Sequence, residues 1–385
     1  AGCYFEGDEP ARWRSRALQE IPEQLQEQML PDGGHYERSP QYHCLMVENI
    51  LDILNLAQNN PSRIGKAFPA VLRQHAESAL AFIEDIAPAD TLLPLFNDSA
   101  QGIAPEVSAL QRYAKHLFGY VVNAGSADPH VVCRADFGLI GFRTAQAALL
   151  FDCGEPGPKY QPGHTHCDLL SFELAWGGLP LIVDTGVCEY EPGPRRHYLR
   201  STAAHNTISI DGLEQSEIWG EFRVARRARV TRGSIKLEGN FSGVASLKIE
   251  GSFEGFFPGT WRDRPGFRHQ RQIYVKLVKG GIESLEVVDT IAEVFARSRS
   301  YCLESFLHFH PDVLPEVVDG KRVSISIEGG PLLELVPPES AELEIVESIY
   351  CPRFGEVINN KCLVVREQVT MPHRMVYRIR DLSAS

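Results

Sequence analysis

The sequence lacks the long apolar runs of a membrane-spanning protein. No stretch approaches the roughly 20 consecutive apolar residues that a helix needs to cross a bilayer. The first residues also lack the basic stretch followed by an apolar stretch that marks a secretory signal peptide. The nine cysteines are odd in number and form no CxxC pair, which disfavours a disulfide framework or a cysteine zinc site. We therefore expect a globular chain without a membrane span, in which most cysteines are buried thiols.

A surplus of basic residues is also absent. Lys and Arg number 38 against 50 Asp and Glu, so the net charge is −12. A nucleic-acid binder or an anionic-membrane binder is usually basic, and both classes are therefore disfavoured. An anionic sugar is compatible with this charge only if the fold gathers basic side chains into a local cleft.

Several common catalytic signatures are missing as well. The sequence contains no GxSxG nucleophile elbow, no GxxxxGK[ST] phosphate loop, no HExxH metal motif and no GxGxxG dinucleotide motif. Any chemistry must therefore come from residues that the fold brings together from distant segments.

What is present divides the chain into two halves. Apolar residues recur at helical spacing through 11–30, and further helices are predicted after Ser39-Pro40, over 67–86 and over 105–120. From about residue 137, short β-rich runs such as LSFELAW, NTISID and RQIYVKLV recur between Gly, Pro or Asp residues. No helical pattern alternates with these runs, so they predict an antiparallel β-sandwich. A chain of 385 residues suits two domains, and we predict a helical domain over 1–127 and a β-sandwich domain over 128–385.

Histidine and aspartate are concentrated between residues 160 and 210. His164, His166 and Asp168 alternate, so they would share one face of a strand. Asp184 ends the next apolar run, and His205 begins the one after it. Imidazole and carboxylate groups are the usual ligands of zinc or a similar ion. A His-x-His pair alone is more often structural, and the spacing leaves open whether Asp168 or Asp184 would join the histidines.

A second polar cluster lies in the loop LPDGGHYERSPQYH between two predicted helices. Loops between helices often carry function. A purely structural interpretation is also open, in which Ser39-Pro40 caps the helix and Tyr42 packs beneath it. The side chains of this loop that suit acid–base chemistry or ligand binding are His35, Tyr36, Glu37, Arg38, Tyr42 and His43.

Arginines form a third cluster. Their planar guanidinium groups suit carboxylate or sulfate ligands, but a solvated strand face would have the same composition. The members of this arginine run are Arg195, Arg196, Arg200, Arg223, Arg226, Arg227 and Arg229.

Taken together, these segments resemble the heparinase II/III-like family of polysaccharide lyases. The matching pieces, in order, are LPDGGHYERSPQYH, PLFNDSAQGIAP, HTHCDLLSFELAWGGLPLIVDTGVCEY, RSTAAHNTISIDGLEQSE and FRVARRA. Their combination in this order is more specific than any single piece. The resemblance implies an α+β chain of two domains, a partial (α/α) toroid followed by an antiparallel β-sandwich, with a substrate cleft between them.

The resemblance also implies a reaction, the β-elimination of a uronic-acid-containing glycan. Tyr42 of SPQYH would be the catalytic tyrosine and His164 of HTH the catalytic histidine. A basic site that neutralises the sugar carboxylate would lower the pKa of the tyrosine enough for proton transfer. One divalent ion, of the zinc type, would be held by His166, Asp184 and His205. The substrate-binding residues implied in the same way are Glu37, Arg38, His43, Tyr190 and Arg200.

The partner implied by the resemblance is an anionic polysaccharide or oligosaccharide, met in the periplasm or outside the cell. Heparan-type, alginate-type and exopolysaccharide substrates all fit. Family members also carry an upstream Asn-His motif whose Asn neutralises the substrate carboxylate, and that position would precede Ala1 here. Two alternatives stay open: a non-catalytic glycan-binding remnant of such a lyase, and a metal-dependent glycan hydrolase whose ion activates water.

Overall fold

The structure, a computed structural model, describes residues 1–87, 91–122, 129–258, 264–295 and 299–382. Ser39 caps the second helix and Pro40 occupies its first turn, as the sequence predicts. None of the described helices is both long and apolar enough to span a membrane. The N-terminal helices are α1 at Asp8–Gln28, α2 at Pro40–Gln58, α3 at Pro61–Ile64, α4 at Ala67–Ile86 and α5 at Val107–Phe118.

The apolar faces of these helices share one buried core with part of the β region. Leu51 and Leu54 of α2 and Ile83 of α4 are fully buried in it, because apolar residues three or four positions apart lie on one helix face. Phe137 and Leu150 of the β region belong to the same core. The helical part is therefore packed directly against the β part.

The first β-sheet has five antiparallel strands in chain order. They are β1 at His130–Arg134, β2 at Leu139–Arg143, β3 at Ala147–Asp152, β4 at Phe172–Trp176 and β5 at Leu179–Ile182. The next elements are α6 at Pro194–Arg200, β6 at Ile208–Ile210, and a short hairpin of β7 at Ile218–Trp219 with β8 at Arg223–Val224. The predicted domain boundary at 127–128 lies outside the described residues.

The remaining strands complete an eight-stranded and a four-stranded antiparallel sheet. They are β9 at Arg229–Gly239, β10 at Val244–Gly255, β11 at Phe267–Val278, β12 at Gly281–Glu293, β13 at Ser300–His308, β14 at Val313–Val318, β15 at Arg322–Ile327, β16 at Leu332–Val336, β17 at Glu342–Tyr350, β18 at Ile358–Thr370 and β19 at His373–Asp381. The larger sheet has the order β14-β15-β16-β19-β12-β11-β10-β9, and the smaller one has the order β17-β18-β13-β6.

The largest core lies between these sheets. Buried and more exposed side chains alternate along β11, as expected for a strand with one face against a core. Phe151 of the five-stranded sheet, Ile273 of the eight-stranded sheet and Leu307 of the four-stranded sheet belong to one buried cluster. The predicted architecture, a helical part followed by an antiparallel β-sandwich, is therefore confirmed.

The β4–β5 hairpin positions one of the candidate site residues. Gly177 and Gly178 form its two-residue turn, with φ values of 64° and 80° that glycine adopts without strain. A bulge beside Leu174 shifts the strand pairing by one residue. Asp184 follows β5 by two residues, beyond the paired part of the hairpin.

Candidate active site and metal centre

The two residues implied to be catalytic meet at the junction of the helical and β parts. Tyr42 lies in the first turn of α2, and His164 lies in the loop between β3 and β4. Their rings stack, with centroids 3.7 Å apart and an interplanar angle of 25°. The hydroxyl of Tyr42 lies 3.3 Å from the hydroxyl of Tyr190. Tyr42 therefore faces His164 rather than packing only beneath its own helix.

The surroundings of Tyr42 keep its phenol protonated. Burial raises its pKa above the ordinary value, and the charges of Asp98 and Glu37 act in the same direction. The hydrogen bond with Tyr190 and the charge of Arg196 act in the opposite direction without outweighing burial. The expectation of a lowered pKa is therefore wrong for this structure, because burial and carboxylates dominate over the nearby arginine.

A buried carboxylate, Asp98, connects the candidate catalytic and metal-binding histidines. Its oxygens lie 3.1 Å from His164 Nδ1 and 2.8 Å from His166 Nε2. The guanidinium of Arg196 donates to the same carboxylate from both terminal nitrogens, one of them at 2.9 Å. Burial alone would raise the pKa of Asp98, but these hydrogen bonds and charges hold it well below its ordinary value. Asp98 is therefore ionised.

The charge of Asp98 determines which nitrogen of each histidine carries the proton. An ionised carboxylate only accepts hydrogen bonds, so His164 carries a proton on Nδ1 and His166 carries one on Nε2. Burial lowers the pKa of His166 to about 4, so its ring is neutral and its lone pair is on Nδ1. In neutral His164 the lone pair is on Nε2, 3.6 Å from an oxygen of Glu37.

Asp98 belongs to the loop PLFNDSAQGIAP, for which the sequence predicts no site residue. Its neighbour Asn97 has φ 57°, an uncommon conformation for a residue with a side chain. The side-chain oxygen of Asn97 accepts a hydrogen bond from the main-chain N–H of His166 at 2.9 Å. The main-chain N–H of Asn97 donates to the Asp168 carboxylate at 2.9 Å. The sequence spacing does not predict these contacts, since Asp98 and His164 are 66 positions apart.

His166, Asp168 and His205 form a compact buried group that suits a metal ion. One ligand atom of each lies within 4.8 Å of those of the other two. His205 Nδ1 is 2.7 Å from a carboxylate oxygen of Asp184. His205 Nε2 and His166 Nδ1 are both buried without a hydrogen-bond partner among the described residues. Buried polar atoms rarely lack partners, and two imidazole nitrogens beside a carboxylate are a zinc-like donor set.

Buried carboxyl groups crowd around this group. Burial raises the pKa of Asp168 to about 6, while the charge of His205 opposes the shift and that of Asp184 adds to it. Burial and the charge of Asp168 raise the pKa of Asp152 well above its ordinary value. A divalent cation would offset this repulsion, so the residues present fit a bound metal ion.

The geometry and the family resemblance differ on the carboxylate of this group. The resemblance implies Asp184, whereas the compact group contains Asp168. Asp184 instead interacts with His205 Nδ1 and accepts the main-chain N–H of Gly186 at 3.0 Å. If His205 held an ion, Asp184 would occupy the position of an outer residue that orients a ligand histidine. The physical reason is the β3–β4 loop, which folds back and brings Asp168 against His205.

Two residues implied to bind substrate lie beside the stacked pair. Glu37 is close to His164, and burial raises its pKa while the charge of His164 opposes the shift. The hydroxyl of Tyr190 lies 3.3 Å from the hydroxyl of Tyr42, and the guanidinium of Arg196 lies 4.9 Å from the centroid of the Tyr190 ring. Both side chains therefore lie next to the stacked pair.

Arg38 and His43, also implied to bind substrate, support the scaffold instead. The guanidinium of Arg38 donates to the main-chain carbonyl of Asp136 at 2.8 Å, which ties the helical part to the first sheet. His43 is fully buried, with Nε2 2.9 Å from the carbonyl of Ala79. His43 is therefore closed to a glycan, whereas Arg38 is half-buried and uses one terminal nitrogen to hold the scaffold.

Arg200, also implied to bind substrate, is likewise engaged by the main chain. It is 1% exposed and donates to the main-chain carbonyls of Thr165 and Gly220. Thr165 lies between the two histidines of the HTH motif, so Arg200 holds the loop that presents them. A guanidinium looks the same in a sequence whether it faces a cleft or main-chain carbonyls.

Comparison with known proteins identifies the family of the chain. Residues 131–377 match the family described as "Heparinase II/III-like, C-terminal", and residues 1–120 match "Heparinase II/III N-terminus". The chain therefore belongs to the heparinase II/III-like family. It is 24% identical over 232 residues to a heparin-sulfate lyase of Bacteroides thetaiotaomicron, covering 52% of this chain and 33% of that protein. A heparin-sulfate lyase of Bacteroides stercoris is 26% identical over 235 residues, covering 56% and 35%.

Solved structures share the fold. The crystal structure of the heparan sulfate lyase HepC from Pedobacter heparinus superposes with a TM-score of 0.72 at 18% identity, covering 99% of this chain and 58% of that one. A crystal structure of heparinase III gives a TM-score of 0.72 at 16% identity, covering 97% and 57%. The chain thus spans about a third of the length of the curated relatives it matches and somewhat more than half of the solved chains.

Proposed function

We propose that the protein is a polysaccharide lyase that cleaves a uronic-acid-containing glycosaminoglycan by β-elimination. The observation that carries the proposal is the stacked Tyr42–His164 pair where the helical and β parts meet. General acid–base catalysis requires its groups within hydrogen-bond reach of one substrate, and side chains in contact meet that requirement. The curated relatives are named heparin-sulfate lyases, which supports a sulfated, uronate-containing glycan as the substrate class.

The reaction needs a base and an acid. The base removes the proton on C5 of the uronate, the electron pair forms the C4–C5 double bond, and the C4–O4 bond breaks as the acid protonates O4. We assign His164 Nε2 as the base, because Asp98 engages the Nδ1 proton and leaves the lone pair on Nε2. We assign the Tyr42 hydroxyl as the acid, because its raised pKa keeps it protonated.

His166, Asp168 and His205 would hold one divalent ion of the zinc type. An ion there would join the β3–β4 loop to the segment before β6 and so keep in place the loop that presents His164. His166 is 1% exposed and His205 is fully buried. This burial favours a structural ion over the alternative of a metal-dependent hydrolase, in which the ion needs a position open to water and substrate.

Product analysis distinguishes the lyase from the alternatives. Incubation with heparan sulfate should release oligosaccharides that end in an unsaturated uronate, and this group absorbs in the near ultraviolet. A hydrolase would release products without that absorbance, and a glycan-binding protein would release none. Either outcome with folded protein would overturn the proposal.

Removal of either histidine of the metal group should release the ion. Purified protein should contain one divalent ion per chain by elemental mass spectrometry, and His166→Ala and His205→Ala should contain none. Both variants should also melt at a lower temperature, since a bound ion stabilises the folded state. His164→Ala is the matched control, because it removes the neighbouring imidazole of the same motif and should retain the ion. Full metal content in both metal-group variants would show that the ligands are wrong.

A second pair of variants distinguishes the roles of the Asp168 and Asp184 carboxylates. Asp168→Asn should lose the ion, because Asp168 lies inside the compact group. Asp184→Asn should retain an ion with affinity reduced about 10- to 100-fold, the usual effect of changing an outer residue that orients a ligand. The reverse pattern would assign the ligand role to Asp184, as the family resemblance implies.

A further inference from the structure

A surface groove of about 460 Å³ opens beside His164. Its walls include three large aromatic side chains, which are 65% exposed for Tyr160, 53% for Trp219 and 44% for Phe222. Arg223 completes the same wall. Exposed aromatic residues gathered at one groove, next to a candidate base, mark a binding surface rather than a core.

The β7–β8 hairpin that carries most of these side chains is tied to the centre of the candidate active site. Arg196 donates to the main-chain carbonyl of Glu221 at 2.9 Å, and Arg200 donates to that of Gly220 at 2.6 Å. Both arginines are 1% exposed. Arg196 also binds Asp98, the carboxylate that orients both histidines. The groove is therefore held in a defined position relative to the reacting pair.

Arg223 is the member of the arginine run that this arrangement leaves available to a ligand. Its guanidinium lies 4.8 Å from the centroid of the Trp219 ring, and it has no acidic partner within the described part of the chain. By contrast, Arg195 pairs with Glu189 at 2.8 Å. An exposed guanidinium without an acidic partner among the described residues, in a chain of net charge −12, suits an anionic ligand.

We propose that this groove is a sugar subsite, in which Trp219 supports a pyranose ring and Arg223 binds an anionic substituent of that sugar, a sulfate or a carboxylate. The inference rests on the proposed lyase function, since the groove shares His164 with the reaction site. The apolar face of a pyranose packs against a flat aromatic ring, and the guanidinium fork matches both anions. This subsite selects glycans by the charge on the sugar next to the one that reacts.

Binding measurements in a slowly cleaving background test the subsite. In protein that carries Tyr42→Phe, Arg223→Gln should weaken the affinity for heparan sulfate oligosaccharides about tenfold, the scale of one lost charge-assisted contact. Isothermal titration calorimetry with the sulfated oligosaccharide and with its desulfated counterpart identifies the anion. A loss of affinity confined to the sulfated oligosaccharide identifies sulfate as the anion that Arg223 binds. An equal loss of affinity for both oligosaccharides identifies the carboxylate.

Two variants serve as controls. Arg268→Gln removes an exposed arginine that pairs with Glu254 on the eight-stranded sheet, and its affinity should equal that of the parent. Arg223→Lys keeps the charge but not the fork, so it should recover part of the lost affinity. If Arg223→Gln binds both oligosaccharides as tightly as Arg268→Gln does, the subsite is absent.

The two proposals can fail separately. In protein with Tyr42 intact, Arg223→Gln should raise KM about tenfold for the same oligosaccharides and leave kcat close to the parent value, because Arg223 does not touch the reacting atoms. If the parent makes no unsaturated uronate but the calorimetric effect of Arg223→Gln persists, the lyase proposal fails and the anionic sugar site stands.

Discussion

Replacing Tyr42 with phenylalanine should reduce turnover of heparan sulfate on the order of 100-fold or more, the usual scale for losing a positioned acid. The change removes one hydroxyl, whose side-chain contact is with Tyr190 at 3.3 Å. The ring that stacks on His164 remains, so folding and glycan binding should be nearly intact. The initial rate of near-ultraviolet absorbance at saturating substrate measures the loss.

A matched variant controls for removing any phenol hydroxyl. Tyr113→Phe removes a hydroxyl that donates to Asp52 at 2.9 Å in the helical part. It should leave turnover unchanged. If Tyr42→Phe turns over substrate as fast as Tyr113→Phe, then Tyr42 is not the acid.

Replacing Asp98 with asparagine should be at least as damaging, with turnover reduced on the order of 100- to 10,000-fold, the range seen when an orienting carboxylate beside a catalytic histidine becomes an amide. The amide can donate as well as accept, so it favours the wrong tautomer of His164 or of His166. The change also leaves Arg196, which is 1% exposed, without its charged partner. Removing one partner of a buried ion pair costs roughly 3–5 kcal/mol of unfolding free energy.

Three readouts on one preparation separate these effects of Asp98→Asn. Turnover reports the base, metal content reports the His166 ligand, and the melting temperature reports the loss of the ion pair. Asp319→Asn is the control, since it breaks an exposed ion pair with Arg322 and should change none of the three. An Asp98→Asn protein with parental turnover would show that Asp98 does not orient the base.

The fold follows closely from local sequence patterns. Helix α4 spans Ala67–Ile86, the range that helical spacing predicts, because periodic apolar residues and helix propensity are local properties. The cap at Ser39-Pro40 is equally local. The order of the strands in a sheet is not a local property. β19 pairs with both β12 and β16, and no residue pattern within β19 identifies those partners.

The candidate site depends on contacts that local patterns do not encode. Tyr42 and His164 are paired in advance only by family resemblance, since nothing in their spacing brings them together. Asp98 reads as one more acidic residue in a loop, and its role appears only when the loop meets the HTH motif. Arg200 shows the converse case: a promising cation in the sequence whose donors are used by main-chain carbonyls.

Digestion of heparan sulfate in water labelled with heavy oxygen tests the central claim most directly. That claim is elimination by the Tyr42–His164 pair. Elimination breaks the C4–O4 bond without adding water, so mass spectrometry should find no label at the new ends and an unsaturated uronate at each non-reducing end. Tyr42→Phe should yield the same products far more slowly. Products that carry the label and lack the double bond would mean hydrolysis and would contradict the account.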